Sequence, residues 1–283
     1  MAGTGNVRKT MTRQRSGERR ELIVRMAASH GLASVEDLSA TLGVTPSTIR
    51  RDLALLTSQG RLARTYGGAL SLEPHPEASL RQRLGEAYDA KRAIAAWAAG
   101  QIVPGESVVL DAGSTAAALA QALTRFTTLS VCTIGLTALE VLAEAEDIEV
   151  LLLGGRLRTL SQSFVGPVTE AALERMSFDR AFMGADGVRA DRGINEKDLE
   201  QTRLKELIMS RADHVYVLAH GTKLGQAPFH AWAVMPPHWT LVTDTSAPEA
   251  EVAKFLAKGV EVVQVDAEAE PDVPVLPTAV NES

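Results

Sequence analysis

From Glu86 to Val265 short apolar runs alternate with amphipathic stretches, and nothing else in this sequence restricts the possible folds as much. Strands are expected at 107–111, 128–133, 148–153, 180–184, 214–219, 239–243 and 260–265. Helices are expected at 86–101, 115–124, 136–145, 167–176, about 198–212 and 248–258. A tight turn joins antiparallel neighbours, whereas strands separated by a helix return in the same direction. The expected fold class over residues 86–266 is therefore α/β, a largely parallel sheet covered by helices on both faces.

Residues 17–72 carry a different pattern. Leu22, Ile23 and Met26 form an apolar stripe that Gly31 ends. Ser34 stands before Val35-Glu36-Asp37-Leu38 as an N-cap followed by acids, and Leu38 and Leu42 carry this second helix to Gly43. Thr45-Pro46 opens a third helix with the core face Ile49, Leu53 and Leu56, ended by Gly60. Arg61 to Leu70 alternates around Gly67-Gly68 and predicts a short hairpin. Three short helices and a β-wing describe a winged helix-turn-helix. Residues 1–16 are expected to be a flexible basic arm, 73–85 (with Pro74 and Pro76) a linker, and 267–283 a disordered tail.

The two parts differ in charge. The whole chain of 283 residues, a length that suits about two domains, has a net charge of −6, which taken alone argues against a nucleic-acid partner. Residues 1–72 hold 11 Lys+Arg against 5 Asp+Glu, a balance of +6, and the other 211 residues hold 18 against 30, a balance of −12. Such asymmetry suggests a basic module that meets a polyanion and an acidic module with other work. Aromatics, at 4 %, leave little for stacking on single-stranded bases. Cys132 is the only cysteine and no signal-like segment begins the chain, so a cytoplasmic location is expected. No stretch of ~18 apolar residues lacks a charge, so no membrane span is expected. His214 and His230 have no metal-ligand spacing with Cys132, and neither metal nor cofactor is assigned. Phe229-His-Ala-Trp232 with Trp239 reads as a packed flap or subunit contact.

In a winged helix-turn-helix the third helix lies in the major groove. Thr45, Ser47, Thr48, Arg50 and Arg51 are the candidate contacts there, because arginine forks onto guanine or phosphate and hydroxyls bond either. Arg61, Arg64 and Tyr66 on the wing are candidates for backbone or minor-groove contact. Adjacent arginines on a helix point about 100° apart, so the alternative is that one of Arg50 and Arg51 pairs with Asp52 or Glu36. The stretch Ser34-Val-Glu-Asp-Leu-Ser-Ala-Thr-Leu-Gly-Val-Thr-Pro-Ser-Thr-Ile-Arg-Arg-Asp-Leu53, with Gly60-Arg-Leu-Ala-Arg-Thr-Tyr-Gly-Gly-Ala69, resembles the DNA-binding domain of the DeoR family of bacterial transcriptional regulators. That family usually has His where Tyr66 stands.

In the acidic module, Leu110-Asp-Ala-Gly-Ser-Thr115 ends a strand and opens a helix. Gly113 permits close backbone approach, and Ser114, Thr115 and the helix N-terminus suit an anion; an ordinary strand–helix cap satisfied by Asp111 is the alternative. Gly154-Gly155-Arg156 and Gly184-Ala-Asp186-Gly187 also follow strands, where ligands of open α/β sheets bind, and Asp186 suits a sugar hydroxyl. Lys223, in Gly221-Thr-Lys-Leu-Gly225, suits a phosphate, whereas Lys205 by spacing alone reads as a solvated helix position.

This part resembles the C-terminal sensor domain of the same family through Lys91-Arg-Ala-Ile-Ala95, Asp111-Ala-Gly-Ser-Thr115, Leu153-Gly-Gly155, Ser161-Gln-Ser163, Gly166-Pro167, Gly184-Ala-Asp-Gly187, Lys205, Leu218-Ala219, Thr222-Lys-Leu-Gly225 and Thr243-Asp244. The resemblance implies a fold of the sugar-phosphate isomerase and CoA-transferase-like group, a phosphorylated effector, and pocket positions that include Thr133, Gln201 and Lys205. The sequence departs from the family pattern at Ile134 (usually Asn), His220 (usually Asp) and Gln201 (often Glu). Neutral or protonated, His220 in place of the usual Asp is expected to alter the pocket's charge near pH 6–7.

The expected function is a ligand-responsive regulator, a repressor by what the resemblance implies. Its partners are double-stranded operator DNA, a phosphorylated sugar or related metabolite, and copies of itself in a dimer or tetramer. The alternatives are an isomerase-like enzyme using Asp111, Asp186, Glu200 and Lys205, against which the DNA-binding module argues, and a sequence-blind nucleoid protein, which leaves the acidic domain without a task.

Overall fold

The chain divides into two units, Met1–Pro76 and Glu77–Ser283. The computed structural model describes residues 16–17, 19–24, 26, 33–58, 62–65, 68–71, 77–78 and 80–268. The arm expected over 1–16 and the tail expected over 267–283 lie almost wholly outside these residues, as do Gly31 and Gly60.

In the first unit, α1 is described at residues 19–24, followed by β1 (Ala33–Ser34), α2 (Val35–Leu42), α3 (Pro46–Ser58), β2 (Leu62–Thr65) and β3 (Gly68–Ser71). Ile23, Val24, Val35, Leu38, Ile49, Leu53 and Leu56 form one core. The inward face of α1 is Ile23 and Val24; Leu22, expected within the stripe, is 38 % exposed, because the packing partners and not the local period choose the face. β2 and β3 pair antiparallel as the expected wing, and β1 adds a short edge strand through Ala33↔Ala69.

The second unit is built on seven parallel strands: β4 (Ser107–Leu110), β5 (Leu129–Thr133), β6 (Ile148–Leu152), β9 (Phe178–Met183), β12 (Ala212–Leu218), β14 (Thr240–Asp244) and β15 (Glu261–Val265). Their order across the sheet is β15-β14-β12-β9-β4-β5-β6. Strand residues alternate between two cores. Val109, Cys132, Ala181, Met183 and Val217 face one, which packs on α8 (Pro167–Leu173), α9 (Leu199–Met209) and α10 (Glu249–Ala257). Val108, Leu110, Val131, Phe182 and Leu218 face the other, under α5 (Tyr88–Ala99), α6 (Ser114–Leu123) and α7 (Leu136–Leu142). Both faces are dry, which is the condition that allows an all-parallel sheet. Phe182 stacks on Tyr216 at 5.1 Å on the second face.

Two antiparallel additions are absent from the expectation. β7 (Arg156–Arg158) pairs with β8 (Ser163–Val165), and β10 (Gly187–Arg189), β11 (Gly193–Glu196) and β13 (Ala231–Ala233) form a small sheet. Trp232 lies on β13, and Trp239 packs edge-on against Phe255 at 6.0 Å.

The linker expected over 73–85 is corrected in its second half. Glu77 to Leu84 belongs to the second unit and ends in α4 (Leu80–Leu84). The carboxylate of Glu77 accepts both terminal guanidinium nitrogens of Arg158, the N–H of Leu80 donates to Leu160 O at 2.9 Å, and Arg83 pairs with Asp186 at 3.0 Å. The prolines of the preceding stretch suggested a linker, but polar anchors hold these residues as a strap.

Candidate functional site

The first candidate site is the exposed face of α3. Gly43 adopts φ +61°, which lets the chain turn between α2 and α3 without a Cβ penalty. Thr45 caps α3: the N–H of Thr48 reaches Thr45 Oγ1 at 3.4 Å, and Pro46 occupies the first turn, where no N–H is needed. Thr45 Oγ1 lies 2.9 Å from Ser47 Oγ and 3.0 Å from Thr48 Oγ1, so three hydroxyls gather at the helix start. Burial of Ile49, Leu53 and Leu56 fixes the rotation of α3 and leaves both Arg50 and Arg51 exposed. Asp52 is buried and takes Arg19 at 2.7 Å, so it is not the partner of either arginine. Arg64 lies on the wing strand β2 opposite Ala69. Arg61, Tyr66 and the side chain of Glu36 lie outside the described residues.

The second candidate site is a cavity in the other unit. β4 is the strand from which the order runs outward both ways, to β5 on one side and β9 on the other. Such a switch point opens a crevice at the carboxyl ends of the two strands. Asp111 follows β4 there and Gly184 follows β9. Gly113, at φ +130°, turns the chain into α6, a conformation that strains any other residue. The first N–H groups of any helix lack intrahelical acceptors, and at the start of α6 no side-chain cap takes their place. The cavity is lined by Gly113, Ser114, Thr115, Gly184, Asp186, Gln201, Lys205 and Lys223 from the expected set.

The geometry separates contact from support. Asp111 is 1 % exposed and fully committed: its carboxylate accepts the N–H of Ala112 at 2.8 Å, the N–H of Gly184 at 2.9 Å, and Lys205 Nζ. It was expected as a ligand contact and is instead the counter-ion that positions Lys205. Lys205, which spacing alone places on a solvated helix face, is 3 % exposed and also meets Glu196 at 3.1 Å and Gly184 O at 2.9 Å. Burial by itself lowers an ammonium, but the Asp111 and Glu196 carboxylates outweigh it and hold Lys205 above its ordinary value. Burial lifts Glu196 to about 8 against the opposing pull of Lys205, with Asp186 and Asp111 adding to the rise. Burial also lowers Lys223, which donates to Ala185 O.

Thr133, Gly154 and Gly155 are not brought to the cavity. Thr133 Oγ1 donates to Leu110 O and accepts from the N–H of Gly135, and Gly154 O accepts Thr169 Oγ1 at 2.7 Å; these are sheet-end fastenings. Of the three departures from the family pattern only Gln201 lines the cavity, where its Nε2 donates to Ser163 Oγ at 3.1 Å. Ile134 is 1 % exposed within the apolar core. His220 does not line the cavity; burial first, then Lys223 and Lys91, push it down to about 4, which selects the neutral one of the two forms expected for it. Glu77, Arg83, Ser161 and Glu196 line the cavity and were not singled out for it. Ser161 stood in a matched motif; Glu77 and Arg83 were hidden by their place in the apparent linker.

A helix-turn-helix reader joined to an α/β domain with a charged cavity at its switch point defines a class: DNA-binding transcriptional regulators with a small-molecule domain. Residues 19–75 match the DeoR-like helix-turn-helix domain, and residues 86–245 match the DeoR C terminal sensor domain. The chain belongs to the DeoR family of transcriptional regulators, and it is a regulator rather than an enzyme. It is similar to a putative aga operon transcriptional repressor of Escherichia coli O157:H7, 34 % identical over 253 residues that cover 88 % of this chain and 94 % of that one. It is also similar to the glycerol-3-phosphate regulon repressor of Escherichia coli, 29 % identical over 74 % of this chain and 83 % of the other. Among solved structures, ribose 5-phosphate isomerase A of Methanocaldococcus jannaschii aligns with a TM-score of 0.36 and 20 % identity, over 48 % of this chain and 54 % of that one. No helix among the described residues is long and apolar enough to cross a membrane.

Proposed function

We propose that this regulator is a repressor whose α3 and wing bind operator DNA as a dimer or tetramer, and that a phosphorylated sugar or polyol bound in the switch-point cavity releases it. The observation that carries this reading is the convergence of Arg83, Lys205 and Lys223 with the uncapped start of α6 on one cavity, a set that suits a phosphate. Asp186, Glu196 and Gln201 on the same walls supply the acceptors and donors that polyol hydroxyls need. The names of the relatives, repressors of an aga operon and a glycerol-3-phosphate regulon, support the ligand class. DNA reading rests on the exposure of Arg50 and Arg51 beside the hydroxyls of Thr45, Ser47 and Thr48. Effector then acts by binding the DNA-competent and DNA-incompetent states unequally, by about 1–3 kcal/mol in typical cases.

A thermal-shift screen of phosphorylated sugars and polyols, each beside its unphosphorylated parent, tests the reading. A phosphorylated compound is expected to raise the melting temperature, and the parent to do nothing at equal concentration. The same compound should release the protein from a duplex taken from upstream of its own gene. Stabilisation by the parent sugars alone would remove the phosphate from the proposal. Sedimentation of the protein on that duplex distinguishes dimer from tetramer.

A further inference from the structure

The strap carries an arginine into the cavity that the expected site residues do not include. Arg83 comes from α4, and its side chain is 15 % exposed. Nη1 donates to Asp186 Oδ1 at 3.0 Å, while Nε and Nη2 are buried and have no hydrogen-bond partner among the described residues. Buried donors left without a partner forfeit their hydration with nothing in return, and native structures rarely tolerate them without a reason. Here two of them belong to one planar fork lining a cavity that also holds Lys223 and the N–H groups at the start of α6. A guanidinium fork matches two oxygens of a phosphate.

From this geometry we propose that Arg83 is an effector-contacting residue, and that the anionic group of the effector takes its guanidinium in competition with Asp186. The inference rests on the reading of the cavity as an anion site and adds the residue and the exchange. Asp186 is thus a built-in competitor that occupies the fork when no anion does. Lys91, buried behind the strap, fixes where the fork can reach, because its Nζ donates to the carbonyls of Arg83 and Glu86. The Glu77–Arg158 pair anchors the other end of the strap. In sequence the strap directly follows the unit that carries α3, so an anion held by Arg83 is held by the segment leading to the DNA reader.

The test titrates the full-length protein with inorganic phosphate and with glycerol 3-phosphate, read by calorimetry. Arg83→Ala is expected to weaken both probes by at least tenfold, and Arg83→Lys, which keeps the charge without the fork, by less. Asp186→Asn is expected to tighten inorganic phosphate several-fold, since it removes the competitor. A merely structural ion pair predicts the opposite for that variant, because either partner's loss would loosen the strap. If Arg83→Ala does not fold, the direction of the Asp186→Asn effect still decides. Phosphate affinity that Lys223→Ala weakens and Arg83→Ala leaves unchanged would overturn the assignment of Arg83 and keep the anion site. Absence of phosphate binding in the wild type, or binding that no cavity substitution alters, would overturn the anion site and the assignment together.

Discussion

Asp111 accepts the backbone N–H of Gly184 at 2.9 Å and so ties together the carboxyl ends of two neighbouring strands whose residues are 73 apart in sequence. The same carboxylate holds Lys205. One side chain therefore closes the sheet at its switch point and neutralises the most buried ammonium of the cavity. Asp111→Ala is expected to destabilise the sensor unit by about 3–5 kcal/mol, the usual consequence of stranding one partner of a buried pair. Asp111→Asn with Lys205→Met should destabilise less than Asp111→Ala alone. Urea denaturation measures both, and wild-type stability for Asp111→Ala would show that the pair is not integral.

Arg50→Ala with Arg51→Ala is expected to leave the melting temperature within a degree or so, because both side chains are exposed and Asp52 keeps its partner Arg19. Operator affinity should fall by about 1–3 kcal/mol for each base-reading arginine, with a shallower salt dependence. Arg19→Ala should do the reverse, lowering stability first. Gel retardation at two salt concentrations, beside a melting curve, separates the two outcomes.

Glu196 and Lys91 give the stability opposite pH dependences. Between about 4.5 and 8 the unfolded chain has released the Glu196 proton and the folded chain retains it, so this contribution falls as pH rises through that window. Burial lowers Lys91 to about 8, so between about 8 and 10.5 the unfolded chain holds a proton that the folded chain has lost, and this contribution rises with pH. Glu196→Gln should flatten the lower limb of a stability–pH profile, and Lys91→Met the upper one. His220, lowered to about 4, adds a contribution that rises with pH between about 4 and 6.5, where the unfolded chain holds a proton that the folded chain has lost, so His220→Gln should remove that rise and leave the upper limb unchanged.

Cys132 sits 2 % exposed on β5, and burial pushes its thiol up to about 12. The thiolate is the reactive form. Alkylation at neutral pH should therefore be slow in the native protein and should accelerate in step with unfolding in urea. Rapid labelling of the folded chain would contradict the packing given for β5.

The alternation from Glu86 to Val265 was legible because the strands are short and mostly apolar, most of all in the buried centre of the sheet, and each of the seven falls within two residues of its expected place at either end. The antiparallel strands were not legible. Gly187–Arg189 and Gly193–Glu196 are three and four residues long, too short for a period, and one carries the buried Asn195, whose amide bonds backbone of residues 34 and 36 positions away. Gly113, Gly184 and Asp186 were legible because strand-end glycine motifs mark close backbone approach, whereas Gly154-Gly155, an equally visible motif, does not reach the cavity. Arg83 and Glu77 were missed because their roles depend on Asp186 and Arg158, 103 and 81 residues distant. Lys205 shows the same limit: nothing within a helical turn of it announces that Asp111 is its partner.

The cavity walls come from Glu77 at one extreme and Lys223 at the other, so nearly the whole sensor must assemble before the cavity exists. Ligand affinity is then also protection against degradation: every bound effector subtracts from the population of opened chains that proteases can cut. If the proposed effector binds there, a cell that runs out of it would hold a shorter-lived regulator, and the abundance of the protein would follow its metabolite.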